Sequence, residues 1–158
     1  MKIRKPTPET YPKVYALLKQ VSPNSPFDAK LIENLHKNKQ VVHEWACIHR
    51  NSVIAYVAFS NAYHGSDVCG LHLAPLAVKP EFQRQGIGTE LLGFALRQNF
   101  IKENTIFVLG KPGFFRRFGF ESCMMPISIF GKKVHFLSLR NHTTSQFTVK
   151  YESAFNNR

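Results

Sequence analysis

The sequence predicts a mixed α/β domain, a mostly antiparallel sheet flanked by helices, and three observations carry that prediction. An apolar run, Leu71-His72-Leu73-Ala74-Pro75-Leu76-Ala77-Val78, stops at Lys79-Pro80 and leads through Gln83-Arg84-Gln85-Gly86-Ile87-Gly88 into a helical repeat of Ile87, Leu91, Leu92, Ala95 and Leu96. Two other strand-like runs, residues 45–49 and 53–59, are separated only by Arg50-Asn51-Ser52, the spacing of an antiparallel hairpin. Read end to end, the elements follow the order β-α-α-β-β-β-α-β-α-β-β, which suits a sheet with helices packed on it.

Each element has its own signal. Residues 2–5 form a short first strand. Thr7 or Thr10 caps a helix with Val14, Leu17, Leu18 and Val21 on one face, and Pro8 or Pro12 is tolerated in its first turn. Residues 22–26 form a loop, and residues 27–36 a second short helix whose apolar stripe is Leu31, Ile32 and Leu35. The hairpin and the strand over 71–78 follow, then the main helix from Ile87 to about Phe100. Residues 105–109 are an apolar strand bounded by Gly110, and residues 113–118 leave room for only one or two helical turns. Phe120 starts a further strand, and residues 134–139 and 147–151 close the sheet.

At 158 residues the chain is expected to form one domain, residues 1–158, with a single substantial core. Hydrophobic residues at 44%, with 14 Phe spread throughout, exclude a disordered chain. No apolar run approaches the roughly 18 residues of a membrane span, and no apolar signal segment follows Met1-Lys2-Ile3-Arg4-Lys5-Pro6. Cys47, Cys69 and Cys123 are odd in number and widely spaced, which argues against disulfides and a metal site and for a reducing cytoplasm. The net charge of +11 is dispersed, with no Lys/Arg run longer than two, and this argues against nucleic acid as the partner. A positive field equally steers a ligand bearing several phosphates. Residues 122–151 lack Asp and Glu but carry Lys132, Lys133, Arg140 and Lys150, a bias that suits either an acidic acceptor or a solvated face.

A strand that turns through glycines into a helix aims unpaired N–H groups, at the positive end of the helix dipole, toward one point. That arrangement cradles a pyrophosphate. The dinucleotide fingerprint needs a third glycine where Leu91 stands, and the P-loop needs Ser or Thr where Pro112 follows Gly110-Lys111. Gln/Arg-x-x-Gly-x-Gly/Ala remains, and it resembles the acyl-CoA loop of the GNAT superfamily of N-acetyltransferases. Val108-Leu109-Gly110 followed by Phe114-Phe115-Arg116-Arg117-Phe118-Gly119-Phe120 is similar to the Phe-Tyr-x-x-Phe-Gly-Phe segment after that superfamily's fifth strand. Pro75-Leu76-Ala77-Val78-x-Pro-x-x-Gln resembles a bacterial branch of predicted N-acetyltransferases.

The resemblance implies that the fourth and fifth strands run parallel and splay apart, and that the acyl-pantetheine arm of acetyl-CoA enters the gap. Leu76 and Val78 would pair their backbones with the pantetheine. Pro75, without an N–H, would mark where regular pairing ends. Gln83 begins the pyrophosphate loop. Arg84, Gln85, Gly86, Ile87, Gly88 and Thr89 would supply its N–H donors, with the Arg84 side chain adding a charge-assisted contact. Phe114, Phe118 and Phe120 read as core.

Two further functional positions come with the resemblance. His72 falls where some relatives carry a catalytic Glu. Strand alternation puts 72, 74, 76 and 78 on one face, so His72 would share a side with Leu76 and Val78 and serve as base toward the acceptor amine. An ordinary hydrogen-bonded strand histidine is the alternative, and Glu44 and His64 are further candidates. Phe115 occupies the position that is usually Tyr, the acid that protonates the departing thiolate, yet phenylalanine has no O–H. Three readings stay open: a water protonates the thiolate, Cys69, Tyr63 or Tyr56 substitutes, or the protein binds acyl-CoA with little turnover.

The implied function is transfer of an acetyl group from acetyl-CoA to a primary amine by direct attack in a ternary complex, with no metal. The acceptor, a small-molecule or peptide amine, would meet the first two helices and residues 124–142 of a monomer or homodimer. An acyl-CoA-binding sensor, or a degenerate paralogue, is the alternative.

Overall fold

The computed structural model describes residues 1–22, 27–131 and 135–157. Most of the loop expected over 22–26, together with Lys132, Lys133 and the first residue of the strand expected over 134–139, lies outside the described residues. The chain opens with β1 (Lys2–Arg4), α1 (Tyr11–Val21) and α2 (Phe27–Lys37), then runs through β2 (Val42–His49), β3 (Ser52–His64) and β4 (Asp67–Val78). A 3₁₀ turn at Pro80–Phe82 leads into α3 (Ile87–Leu96) and α4 (Asn99–Lys102). Then come β5 (Ile106–Leu109), α5 (Pro112–Phe115), β6 (Glu121–Ser122), β7 (Ile127–Ser128), β8 (Phe136–Leu139) and β9 (Thr148–Tyr151).

Local chemistry explains most boundaries. Thr10 holds the N-cap position of α1, with proline in its first turn, but its hydroxyl accepts from Thr7 N–H at 2.7 Å and donates to Thr7 O at 2.8 Å. It therefore closes the preceding turn instead of capping a helical N–H. The hairpin between β2 and β3 turns on Arg50 and Asn51, both at positive φ, whose twist suits antiparallel strands. The main helix ends earlier than its repeat suggests. Gln98 is extended, and its side-chain amide donates to Phe94 O at 2.9 Å, separating α3 from α4.

The sheet order is β1-β2-β3-β4-β5-β8-β6, and β9 pairs with β3 and β7. Neighbours are antiparallel except β4–β5 and β7–β9. On one face α1 and α2 pack Val14, Leu17, Leu18, Leu31, Ile32 and Leu35 around Tyr56 and Ala58. On the other, α3 packs Leu91, Leu92 and Ala95 against Val57, Phe59, Leu71 and Leu73. Each of the Val, Leu, Ile and Phe side chains contributes about 1.5–3 kcal/mol by leaving water, and together they hold the start of α3 against the end of β4.

Two irregularities of β4 set the geometry between the strands. Between Phe59↔Leu73 and Val57↔Leu76, two steps along β3 face three along β4. Pro75 lies in that interval, where its missing N–H cannot serve the ladder. Pairing with β3 does not end there, as the proline suggested, but resumes at Leu76 one residue out of phase. A single extra residue reverses alternation beyond it. Leu76 and Val78 therefore join Leu71 and Leu73 on the α3 face. Ala74 and Ala77 face α1 and α2, and so does His72, stacked on Tyr151 and Phe155. This corrects the expected arrangement: His72 lies on the opposite face from Leu76 and Val78.

The second irregularity is a fork. β4 and β5 pair only at Leu71↔Ile106 and His72↔Phe107. Beyond that point β4 stays with β3 as far as Val78↔Ala55, and β5 stays with β8 as far as Leu109↔Phe136. The two parallel strands part.

Candidate active site

The parting strands open a cleft of about 580 Å³ lined on the β4 side by Leu73, Ala74, Pro75, Leu76, Ala77 and Val78. Val108, Leu109, Gly110, Lys111, Phe114 and Phe115 line it from β5 and the turn beyond, and Val21 and Asp28 from the α1–α2 end. Because the bulge turns Leu76 and Val78 one way and Ala74 and Ala77 the other, lining residues of both faces meet in one cleft. It connects the α3 side of the sheet with the α1–α2 side. Gly110 is needed for its shape, since a Cβ there would run into the Phe115 ring. That ring is buried and packs edge-on against Phe114 and Phe120 at 5.1 and 5.5 Å between centroids.

A second hollow of about 400 Å³ adjoins the first, sharing Val78, Gln83, Gly88 and Phe114 with it. The glycine loop forms its floor. Gly86 sits at the N-cap of α3 with φ +82°, a left-handed conformation that glycine adopts without strain. Arg84 is also left-handed at φ +64°, so the loop curls at two points. Among the described residues, no N–H from Arg84 to Thr89 donates to a backbone carbonyl, and the first helical bond is Glu90 N–H to Gly86 O at 3.0 Å. Six donors are thus left at the positive end of a ten-residue helix. The Gln83 amide donates to Val78 O at 3.0 Å, tying the loop to the end of β4.

Arg84 and Arg117 supply the charge here. Arg117 was not among the expected site residues. It donates to Thr89 Oγ1 at 3.4 Å, and its guanidinium lies 4.9 Å from the Phe114 ring centroid. Phe114, expected in the core, is only partly buried and lines both hollows. The adjacent Arg116-Arg117 pair after a short helical turn was the available signal. Lys111, Asp28 and Val21 carried none, because nothing in their own segments marks them as neighbours of β4.

The remaining expected residues fall elsewhere. His72 stands at the fork but is 1% exposed, with ring centroids 3.9 Å from Tyr151 and 4.5 Å from Phe155, and it is not among the cleft's lining. Glu44 is buried on the α1–α2 face. It accepts from the Tyr56 hydroxyl at 2.8 Å and lies 2.9 Å from His36 Nε2, while His36 Nδ1 meets the Tyr15 hydroxyl at 2.7 Å. Tyr11 stacks on His36 at 3.7 Å. Burial and the nearby Glu44 carboxylate hold the Tyr56 hydroxyl well above the usual tyrosine range, and Tyr15 is pushed up to about 12, mainly by burial. Tyr63 donates to Glu152 at 3.0 Å, Cys69 is partly buried with its thiol pushed up by burial, and His64 stacks on Phe147. Among the described residues no three His, Cys, Asp or Glu side chains gather as a metal site, and no helix is long and apolar enough to cross a membrane.

A phosphate-type loop at a helix N-terminus, opening onto a gap between parting parallel strands, defines an acetyltransferase architecture. The model of the acetyltransferase (GNAT) domain matches residues 41–122, just over half of the chain. An uncharacterized N-acetyltransferase of Escherichia coli strain K12, YhbS, is 34% identical over 124 residues, covering 77% of this chain and 74% of the relative. The crystal structure of E. coli YhbS in complex with CoA superposes with TM-score 0.87 at 27% identity, over 98% of this chain and 91% of that one. A GNAT family acetyltransferase from Brucella melitensis, solved with acetyl-CoA, shares the fold at TM-score 0.82 and 24% identity, over 98% of this chain and 97% of its own. The chain belongs to the GNAT family of N-acetyltransferases.

Proposed function

We propose that this protein transfers an acetyl group from acetyl-CoA to a primary amine held in the same complex. The observation that carries the reading is the continuity of two hollows: six free N–H donors with two arginines at one end, and an apolar cleft through the sheet at the other. The residues present fit the co-substrate. Arg84 to Thr89 suit the pyrophosphate, and Leu76 and Val78, on the β4 edge that β5 has left, suit the pantetheine. Bound acetyl-CoA supplies a thioester carbonyl.

The protein's own contribution is positional. The loop fixes the phosphate end, the forked strands guide the arm inward, and the α1–α2 end, with Val21 and Asp28, admits the acceptor from the opposite face. Holding both reactants in one cleft turns a bimolecular encounter into an effectively unimolecular one. His72, enclosed by aromatic rings, supports the fork by packing, and the acceptor's proton passes to water. The three free thiols suit a reducing cytoplasm.

The test is a panel of small-molecule and peptide amines with acetyl-CoA, read by thiol release, beside a thermal-shift titration. Amine-dependent release together with a raised Tm is the expected result. No Tm shift with saturating acetyl-CoA would sink the assignment. Phe115, buried in the cleft and lacking a hydroxyl, favours a second reading, an acyl-CoA-binding sensor. A Tm shift with no release for any amine would select it.

A further inference from the structure

Expelling a thiolate into an apolar cleft requires a positive charge or a proton donor close to the sulfur. The lining offers few. Phe115 has no O–H, and the Gln83 amide is engaged by Val78 O at 3.0 Å. The three possible substitutes do not line the cleft: Tyr56 is committed to Glu44 and Tyr63 to Glu152, while Cys69 holds its proton more firmly because of burial. Among the described residues, the ionisable side chains on the cleft wall are Asp28, an acid at the acceptor end, and Lys111.

Lys111 follows β5 directly after Gly110 and shares the α5 turn with Phe115. Its carbonyl accepts from Phe114 N–H at 3.2 Å and Phe115 N–H at 3.3 Å, which fixes its backbone beside that ring. Its side chain is exposed and, among the described residues, has no carboxylate within ion-pair distance. A free cation on the wall of a mostly apolar cleft is well placed to meet charge that develops only during reaction.

We propose that Lys111 receives the negative charge of the departing thiolate, a role that rests on the acetyltransferase reading. The amine nitrogen forms the new C–N bond, the C–S bond breaks, and its electron pair goes to sulfur. The nitrogen gives its proton to water, the Lys111 ammonium pairs with the thiolate as it forms, and solvent at the open mouth then protonates the sulfur.

The experiment begins with wild-type binding of CoA and of desulfo-CoA. Failure of both to bind would overturn the acetyltransferase reading and this proposal with it. If they bind, the ultraviolet thiolate absorbance of protein-bound CoA is titrated in wild type, Lys111→Met and Lys111→Arg. The expected result is a bound thiol that ionises at lower pH in wild type and Lys111→Arg than in Lys111→Met, with unchanged affinity for desulfo-CoA. Turnover of Lys111→Met should fall about 10²-fold, as for the loss of one preorganised group that meets developing negative charge. Adding Phe115→Tyr to Lys111→Met should restore part of that loss, since a hydroxyl then enters the same cleft. Equal thiol titration in wild type and Lys111→Met, or weakened desulfo-CoA binding as the main effect, would overturn the proposal and reduce Lys111 to a charge that attracts phosphate.

Discussion

The two ends of the cleft are built from different materials. At the α3 end the free polar groups are main-chain N–H groups at the positive end of a helix dipole, on six consecutive residues from Arg84 to Thr89. On the α1–α2 side the polar groups are side chains: Asp28 lines the cleft, and the Tyr15–His36–Glu44–Tyr56 chain, on the same face of the sheet but not among the cleft's lining, draws on α1, α2, β2 and β3. A backbone site tolerates many side chains and depends on conformation, whereas a side-chain network depends on every partner being satisfied. On the proposed reading, the co-substrate end should therefore fail through loop geometry and charge, and the acceptor end through packing.

The largest effect should come from the loop. Gly86→Asp adds a negative charge beside the proposed pyrophosphate site and a side chain at φ +82°. The stabilisation of about 2.7 kcal/mol expected at a hundredfold excess of acetyl-CoA over Kd should disappear from thermal-shift curves. Gly86→Ala, which adds strain but no charge, should keep part of it. Full retention of the shift in Gly86→Asp would mean that the phosphates bind elsewhere.

His72→Ala sharpens the contrast by separating packing from chemistry. Removing a buried ring from between Tyr151 and Phe155 should lower stability by about 3 kcal/mol, read as a drop in denaturation midpoint. The rate per folded molecule should change less than tenfold, whereas loss of a general base costs about 10²–10⁴-fold. A stable His72→Ala protein with a hundredfold lower rate would restore the histidine to the mechanism.

Tyr56→Phe removes the donor nearest the buried Glu44 carboxylate and should cost about 1–3 kcal/mol of stability with unchanged CoA affinity. A change in CoA affinity would show that the two ends are coupled.

The smallest effect concerns acid. His43 stacks on Phe100 on the α3 face, and among the described residues its buried Nε2 has no hydrogen-bond partner. Burial, with Lys5 adding to it, lowers its pKa from 6.5, so below that pH the unfolded chain binds a proton that the folded chain resists. Stability from this group is complete above pH 6.5 and declines as pH falls below it. His43→Phe should flatten that limb in pH-dependent melting, and an unchanged limb would assign it to other groups.

Legibility follows the range of the interactions. The hairpin, the α3 stripe and the glycine loop are readable because each depends on residues within a few positions of one another. Alternation puts His72 on the wrong face because it is a rule for regular strands, and the bulge spanning Pro75 breaks it. Apolarity alone sends Phe114 to the core, although it is half-buried and carries Arg117 on its ring.

By itself, then, the sequence determined the order of the elements and the loop at Gly86, because turn conformation and helix initiation are local properties of the chain. Tertiary structure alone decided that the cleft passes through the sheet, that Lys111 and Asp28 share its wall, and that His72 is shut away behind Tyr151 and Phe155. Those outcomes depend on where β4 leaves β5 and on which segments close over each face. They arise from packing between residues far apart in the chain, which no local pattern encodes.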